Sequence, residues 1–313
     1  MLQNIYHNTQ LLNRLVKIAL IGVIGTALFF AGFYYFDRYV NLNNQSPLDM
    51  GTTDLELQVR KNPDDPEPRL ALAEQYLRGH DYPAAIEQAQ QVLNKFPDSD
   101  RALFVLGMGN SMAGNTEAGI RFLEQFVALH KKGPDSQNDN ALQTGLYYLG
   151  MNYLRVGRST DAITALTQAV TINPTDADAL YQLGLAFLRT GKCPDALENF
   201  KKAALFVPDF AEAYQGMVDC YTTLQQPDYV TVAQGMQAFS VKDYQKASKL
   251  LSEAVKKLPK ESQAYLGLGL TNEKLGDLPS AQENLKMALA LDANNFTATN
   301  ALERIQATLN QGE

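Results

Sequence analysis

Beyond residue 50, apolar and polar residues alternate along most of the chain with the spacing of amphipathic helices. In the segment 177–210 the apolar residues recur at intervals of three or four, as at Leu180, Leu183 and Phe187. This spacing places them on one face of a helix. The stretch 191–194 (Gly-Lys-Cys-Pro) interrupts the pattern. The segment therefore predicts two helices joined by a tight turn.

The same pattern returns every 34 residues. Residues 143–176 and 177–210 align without a gap and share Leu-Gly at 149–150 and at 183–184. A small residue, which lets two paired helices approach closely, recurs in this register at Ala73, Gly107, Gly150, Gly184, Gly235 and Gly269. The steps between these positions are 34, 43, 34, 51 and 34 residues. We interpret the step of 43 as a repeat with an insertion and the step of 51 as one and a half repeats.

These residues resemble the tetratricopeptide repeat family, and the resemblance covers about 66–295. It implies an all-α fold, a right-handed α-solenoid of helical hairpins, in which each repeat is a pair of antiparallel helices. A proline such as Pro208 ends the second helix of a repeat. The alternative is an ordinary helical bundle with chance leucine spacing, but it does not account for a register kept over six units.

Departures from the register predict two arrays. The first array spans 53–225: a short capping helix over 53–61, repeats near 66–99, 100–133, 143–176 and 177–210, and an extra helix over 211–225. The second spans 228–310: repeats near 228–261 and 262–295, and a capping helix over 296–310. The extra helix has no partner helix after it, which predicts a bend or a break near 225–229. Since two repeats bury too little surface to be stable alone, we expect the second array to dock on the first.

The segment 1–52 follows a different pattern. Residues 18–36 contain no charged side chain, and as a helix they would extend roughly 28 Å. This predicts one transmembrane helix after a segment 1–17 and before a polar linker 37–52. A cleaved signal peptide is the alternative, but the apolar run ends in bulky aromatic residues followed by Asp37, whereas cleavage needs small residues.

The charges that flank this span predict its orientation. Arg14 and Lys17 precede it without any acidic residue, whereas Asp37 and Arg38 cancel after it. The positive-inside rule then places the N-terminus in the cytoplasm and the repeats outside it, in a single-pass cell-membrane protein. Because the roughly 13 residues at 41–53 that connect the span to the repeats reach at most about 45 Å, partners are expected to be membrane-bound or close to the membrane.

Composition argues against several functions. The net charge is −7, and this acidic balance predicts no binding to nucleic acid. The two cysteines, Cys193 and Cys220, show no metal-ligand spacing. We predict that both are free thiols, and a disulfide between them is the alternative. We find no catalytic, metal or cofactor motif and predict that the protein is not an enzyme. An enzyme that uses the repeats for targeting would need a catalytic domain, and almost no chain is left for one.

The family resemblance implies a concave groove, lined by the first helix of each repeat, that takes a peptide. Carried onto this chain, the groove residues are Leu70, Leu77, Arg78, Phe104, Met108, Met112, Tyr147, Met151, Arg155, Tyr181, Leu185 and Arg189. Aromatic, Met and Arg side chains are enriched at binding hot spots. The alternative is that the Leu and Met side chains pack between helices and that the arginines are cations at helix ends. A family variant that grips a carboxylate with Lys and Asn is not matched, since its positions here hold Leu70, Glu74, Val105, Thr144 and Tyr148.

The features together predict a membrane-tethered scaffold or adaptor that binds a partner polypeptide in the groove. Its expected role is the assembly or maturation of an extracytoplasmic or membrane complex, with the bilayer contacted through 18–36. One alternative, from a similar architecture, is a factor that holds apocytochrome c during its maturation. Another is a scaffold that self-assembles into a homo-oligomer through the end helix 296–310.

Overall fold

The computed structural model describes residues 47–131 and 139–311, together with the isolated positions 16, 17, 19, 26 and 30. Between residues 47 and 311 the described chain forms fifteen α-helices and no strand. The first seven are α1 (Pro47–Lys61), α2 (Pro66–Arg78), α3 (Tyr82–Lys95), α4 (Asp100–Met112), α5 (Thr116–His130), α6 (Asn140–Arg155) and α7 (Ser159–Ile172). The others are α8 (Ala177–Arg189), α9 (Cys193–Phe206), α10 (Ala211–Thr223), α11 (Pro227–Ser240), α12 (Tyr244–Lys257), α13 (Ser262–Leu275), α14 (Leu278–Leu291) and α15 (Phe296–Gln311). The predicted all-α solenoid of helix hairpins is confirmed.

The predicted membrane helix 18–36 lies outside the described residues except at positions 19, 26 and 30. In the described part of the chain, no helix combines the length and the apolar character needed to cross a bilayer. Of the insertion predicted between the repeats 100–133 and 143–176, residues 134–138 also lie outside. Its later part is described: Asp139 caps α6, which begins at Asn140. α1 begins at Pro47, inside the stretch 37–52 that the sequence assigns to the linker. Proline suits the first position of a helix, because its fixed φ is helical and its missing N–H would have no partner there.

The chain divides into two compact units, residues 1–105 and 106–313. In the first unit α2 packs against α1 and α3. The Tyr76 hydroxyl donates to Glu56 over 2.7 Å and so joins α2 to α1. Arg101 donates to Glu67 and Glu74 over 2.7 and 2.9 Å, which pairs the charges along this unit.

In the second unit, hairpins close on the small residues that define the register. A Cβ atom added to Gly150 would lie 2.4 Å from Leu166 Cγ, and one added to Gly184 would lie 2.6 Å from Phe200 Cε1. Both distances are shorter than any real contact, so only glycine allows these helices to approach as they do. The same relation, at the same separation along the sequence, joins Gly107 to Leu123, Gly235 to Leu251 and Gly269 to Leu285.

Backbone conformation marks where the first helix of each repeat ends. A residue with positive φ follows it at Gly157, Gly191 and Gln225, each one repeat length after the last. The next pair, Lys242 and Gly276, is also separated by one repeat length, but Lys242 follows Gln225 after only half a repeat. We call the first helix of a repeat a first-type helix and the second helix a second-type helix. Two first-type helices, α10 and α11, therefore follow each other directly.

Contacts between helices that are separated by one intervening helix show the same shift of the repeat register by half a repeat, which we call the change of phase. α6 contacts α8 and α8 contacts α10, whereas beyond that point α11 contacts α13 and α13 contacts α15. We call α6–α10 the first series and α11–α15 the second series. α10 packs on both α9 and α11, and one hydrophobic cluster continues from Ala177 in α8 to Leu268 in α13. The predicted bend or break near 225–229, and the two array boundaries, stay predictions.

Candidate functional site

Four large side chains form a surface that we call the aromatic strip: Tyr147 and Met151 on α6, and Tyr181 and Leu185 on α8. The α8 residues occupy the same positions of their repeat as the α6 residues, and the two helices pack against each other. All four side chains are half-buried. The strip therefore presents a matching pair of large side chains on each of two neighbouring repeats.

The half-burial of the strip follows from the helical period. Leu146 and Leu149 on α6, and Leu180 and Leu183 on α8, are buried. Because successive helix positions are rotated by about 100°, the strip residues stand beside this buried face rather than within it. Part of each side chain is held by packing and part meets solvent, which is the condition of a preformed binding surface.

Aromatic contacts fix the rings of the strip. Tyr147 meets Tyr148 edge to face with ring centroids 5.1 Å apart. Tyr181 lies 5.0 Å from Phe210 and 5.8 Å from Phe200, between centroids. Such pairs contribute about 0.5–1.5 kcal/mol of stabilisation beyond that of the apolar area that they bury. The rings consequently lose little freedom when a ligand covers them.

Acidic side chains surround the strip. Burial raises the pKa of Tyr147 to about 12, and the carboxylates of Asp178 and Asp176 add to the effect. Burial likewise raises the pKa of Tyr181, with contributions from Glu212 and Asp219. Burial is the largest cause of both shifts, and the nearby Arg155 and Arg189 act against them. Four carboxylates nevertheless lie near the two rings, which favours cationic groups on a ligand.

The three arginines that the sequence predicts to line the groove donate hydrogen bonds within their own chain. Arg155 Nη1 donates to the Ser111 carbonyl over 3.1 Å, and Arg189 Nη1 donates to the Leu154 carbonyl. Both acceptors belong to the last turn of the corresponding helix one repeat earlier, where carbonyls lack helical partners. Arg78, in the other unit, donates to Gln75 of the same helix. Arg155 and Arg189 thus fasten helix ends, although the side chains of all three arginines remain exposed.

The remaining predicted groove residues differ in exposure. In the unit 1–105, Leu70 is buried with Val92 and Ala102, and Leu77 and Phe104 are half-buried. Met108 is buried, whereas Met112 is exposed. The side chains of Leu70 and Met108 therefore pack between helices, as the alternative reading of the sequence allows.

The strip ends at α10. The positions that continue it in the next repeat hold Gln215 and Asp219, both exposed. Gln215 donates to Asp219 over 2.8 Å and accepts from Gln237 of α11 over 2.9 Å. A polar, internally bonded surface thus replaces the apolar one.

The structure also contains a cavity that the sequence did not predict, which we call the junction cleft. It is a cavity of about 320 Å³ between the end of α9 and the helices α11, α13 and α15. Its floor is formed by Tyr214, Met236, Phe239, Leu266 and Leu270. The extra helix predicted at 211–225 was the available signal, because a change of phase brings the first-type helices of the second series against α9.

The cysteines and the acidic residues offer no obvious chemistry. Cys193 and Cys220 are free and buried. Burial raises the pKa of the Cys220 thiol to about 12, and a hydrogen bond with Cys193 adds to this. A thiol with such a pKa is not a nucleophile at neutral pH. Within the described residues no group of three His, Cys, Asp or Glu side chains could hold a metal ion.

Comparisons with known proteins agree with this architecture. A model described as TPR repeat matches residues 152–191. Models described as Tetratricopeptide repeat match 70–136 and 232–296, and 178–209. A curated relative, heat shock protein STI1 of Saccharomyces cerevisiae, is 31% identical over 101 residues, which are 32% of this chain and only 17% of that protein.

Two solved structures are similar to this chain. The crystal structure of MamA is 25% identical, with a TM-score of 0.50 over 56% of this chain and 97% of that chain. The structure of YrrB, a TPR protein with an unusual peptide-binding site, is 17% identical, with a TM-score of 0.49 over 67% of this chain and 95% of that chain. The family matches, which together span more than half of the sequence, and the repeated helix hairpins show that the chain belongs to the tetratricopeptide repeat family.

Proposed function

We propose that this protein is a membrane-tethered scaffold that binds a partner polypeptide along the aromatic strip. Its repeats make it a protein–protein interaction scaffold. The observation that carries the proposal is the strip itself: four half-buried large side chains at matching positions of α6 and α8. A side chain of this kind gains hydrophobic stabilisation when a ligand covers it, and packing has already restricted its rotamers.

The surroundings of the strip suggest the chemistry of the partner. Carboxylates outnumber cations near the two rings. Asp176 and Asp178 lie near Tyr147, and Glu212 and Asp219 lie near Tyr181, against the guanidinium groups of Arg155 and Arg189. A segment that alternates apolar residues with Lys or Arg would cover the rings and approach the carboxylates. An acidic segment would meet like charge.

The tether rests on the sequence of residues 18–36. An uncharged stretch of this length is long enough to cross a bilayer as a helix, and under the positive-inside rule the basic residues before it predict a cytoplasmic N-terminus. The strip would then face the extracytoplasmic side, close to the membrane. This location fits a role in assembling or maturing an extracytoplasmic or membrane complex.

Photo-crosslinking in intact membranes tests the strip. A photoreactive amino acid at Met151, one turn after Tyr147 on α6, is expected to capture a polypeptide. The capture should be lost in the double variant Tyr147→Ser, Tyr181→Ser and kept in the control Tyr244→Ser, since Tyr244 is also half-buried but lies on α12. If the double variant folds, by circular dichroism, and still captures the same partner, the strip is not the binding surface.

Synthetic peptides test the partner chemistry. Two peptides of equal length, one alternating Leu with Lys and one alternating Leu with Glu, are titrated against the protein by fluorescence anisotropy. We expect the Lys peptide to bind more tightly, and Asp178→Asn with Glu212→Gln to reduce the difference. Equal affinity for both peptides would contradict the acidic-rim argument while leaving the strip intact.

Alkaline extraction of membranes tests the tether separately. The full chain should remain in the membrane pellet, whereas a chain that begins at residue 47 should be released. Release of the full chain would overturn the tether without affecting the strip.

A further inference from the structure

Two buried thiols meet where the unpaired helix α10 packs on α9. Cys193 is the first residue of α9, and Cys220 lies in the last turn of α10. Their side chains are 2% and 0% exposed and belong to one hydrophobic cluster. A hydrogen bond joins the two thiol groups. The two sulfur atoms are therefore neighbours in the folded, reduced protein.

The packing of the two helices explains why the cysteines meet. α9 and α10 pack against each other, and a Cβ atom added to Gly216 of α10 would lie 2.5 Å from Phe200 Cζ of α9. Consecutive helices joined by a short connection run in opposite directions. Going from Phe200 towards the start of α9 therefore corresponds to going from Gly216 towards the end of α10. These are the two ends that carry Cys193 and Cys220.

Burial protects the cysteine pair once the chain has folded. It raises the pKa of Cys220 to about 12, with a further contribution from the hydrogen bond to Cys193, so the Cys220 thiolate is scarce at neutral pH. A reagent in solution also does not reach side chains that are almost completely covered. The thiols can therefore react while the chain is unfolded, or when α10 opens locally, and are protected afterwards.

We propose that Cys193 and Cys220 are the site of a disulfide that forms as the chain folds under oxidising conditions and fastens α10 to α9. The oxidant is a small disulfide such as glutathione disulfide. One cysteine thiolate attacks it, forms a mixed disulfide and releases one glutathione thiol. The second cysteine thiolate then attacks the cysteine sulfur of the mixed disulfide and releases the second glutathione thiol. The two cysteines lose two electrons and two protons in total, and glutathione disulfide takes up both.

The cross-link would lie at the helix that the repeat pattern supports least. α10 is a first-type helix without a second-type helix of its own, and it packs between α9 and α11. A disulfide from Cys193 to Cys220 would restrict the unfolded chain and hold α10 on α9 at the change of phase. The proposal depends neither on the aromatic strip nor on the tether, since it concerns only the two thiols and the helices that carry them.

Refolding in glutathione buffers tests whether the fold favours the disulfide. The full chain in detergent is refolded from urea at a series of ratios of [GSH]² to [GSSG], starting from both the reduced and the oxidised chain. A second set is held in urea. Each sample is quenched with acid and alkylated with N-ethylmaleimide in denaturant, so that in mass spectrometry a reduced chain gains two maleimides and a disulfide none.

The ratio at which half of the chains are oxidised is the quantity compared. We expect it to be roughly 100-fold higher for the refolded chain than for the chain in urea, because a cross-link that stabilises the fold is stabilised by the fold to the same extent. Peptide mapping should join the peptides of positions 193 and 220. A ratio for the refolded chain that is equal to or below the ratio in urea would overturn the proposal.

Thermal unfolding gives a second, independent measurement. The native chain refolded with glutathione disulfide should unfold at a temperature roughly 5–10 °C higher than the same chain refolded with dithiothreitol. The matched control is Cys220→Ala, since the corresponding position of α8 holds Ala186, which is also fully buried. Its unfolding temperature should be the same after both treatments. A native chain that unfolds at the same or a lower temperature when oxidised, or an equal difference in Cys220→Ala, would contradict the proposal.

Discussion

The first and second series use the same positions of the repeat in opposite ways. Tyr147 and Met151 flank Gly150 on α6 and remain half-buried, available to a ligand. Val232 and Met236 flank Gly235 on α11 in the same way, yet they are 5% and 3% exposed. All four are large apolar side chains, so the difference lies in what covers them.

The cause is the unpaired helix α10. Up to α10 the first-type helices contact one another across a second-type helix, and their outer face stays open. At α11 the order restarts after half a repeat, as the positive φ angles of Gln225 and Lys242 show. The face that would be open in the second series then meets α9 and α10. The repeat register therefore identifies candidate groove residues, whereas the phase of the neighbouring helices determines whether they are accessible.

The largest expected effect comes from removing the side chain that joins the helices α8, α9 and α10. Phe200 is fully buried, and its ring lies against Gly184 of α8 and Gly216 of α10. Phe200→Ala should lower the free energy of unfolding by about 3–5 kcal/mol, since it leaves a cavity between three helices. Urea unfolding followed by circular dichroism measures this. Phe206→Ala, on the same helix but exposed, is the matched control and should cost much less. Equal losses for the two variants would show that α8, α9 and α10 are not packed as described.

The second prediction compares two methionines at one register position. Met236→Ala should lower the free energy of unfolding by about 2–3 kcal/mol, in the lower part of the usual range because flexible neighbours relax into the space. Met151→Ala should cost less than about 1 kcal/mol, because part of that side chain is already in water. Thermal unfolding of both variants checks the difference. Similar values would mean that the two faces are equally open, which would remove the basis of the comparison.

The sequence was sufficient to predict the hairpins and their register. A small residue at one fixed position of each repeat has one physical role in a helix pair, close approach, and the contact of Gly184 with Phe200 shows this role directly. The half-burial of Tyr147 and Tyr181 was also predictable, because a residue at the edge of the apolar stripe of a helix lies neither in the core nor fully in solvent.

Other features depended on neighbours that the sequence does not reveal. Periodicity does not separate the buried Met108 from the exposed Met112, because both lie on the same stripe of α4. Arg155 and Arg189 bond to carbonyls one repeat away, a contact that requires the superhelical offset between repeats. The junction cleft requires the phase change and the position of α9 together. The odd helix at 211–225 was visible in the sequence, but its consequence for the α11 face was not.

A smaller effect is expected from the titration of Tyr147. Burial, with the nearby Asp178 carboxylate, raises the pKa of this side chain to about 12 from its ordinary value of 10.0. Below pH 10 the phenol is neutral in both the folded and the unfolded chain, and its contribution to stability is fully present. As the pH rises towards 12, only the unfolded chain ionises, so this contribution is lost. Tyr147→Phe should therefore flatten the decline of stability over this window, as measured by urea unfolding at several pH values. An unchanged pH profile would indicate that the ring is freely solvated and that the strip is not preformed.

The smallest effect concerns the two turns of the second series that end its first-type helices. Lys242 has φ +64°, whereas the equivalent turn one repeat later has Gly276 at +84°. A side chain is strained in this conformation, so Lys242→Gly should raise the free energy of unfolding by about 0.5–1 kcal/mol. Gly276→Ala should lower it by about 1 kcal/mol for the same reason. Thermal unfolding of the two variants measures both signs. A loss of stability in Lys242→Gly would show that α11 does not end in the left-handed turn of a first-type helix, and the restart of the register at α11 would then lack its main support.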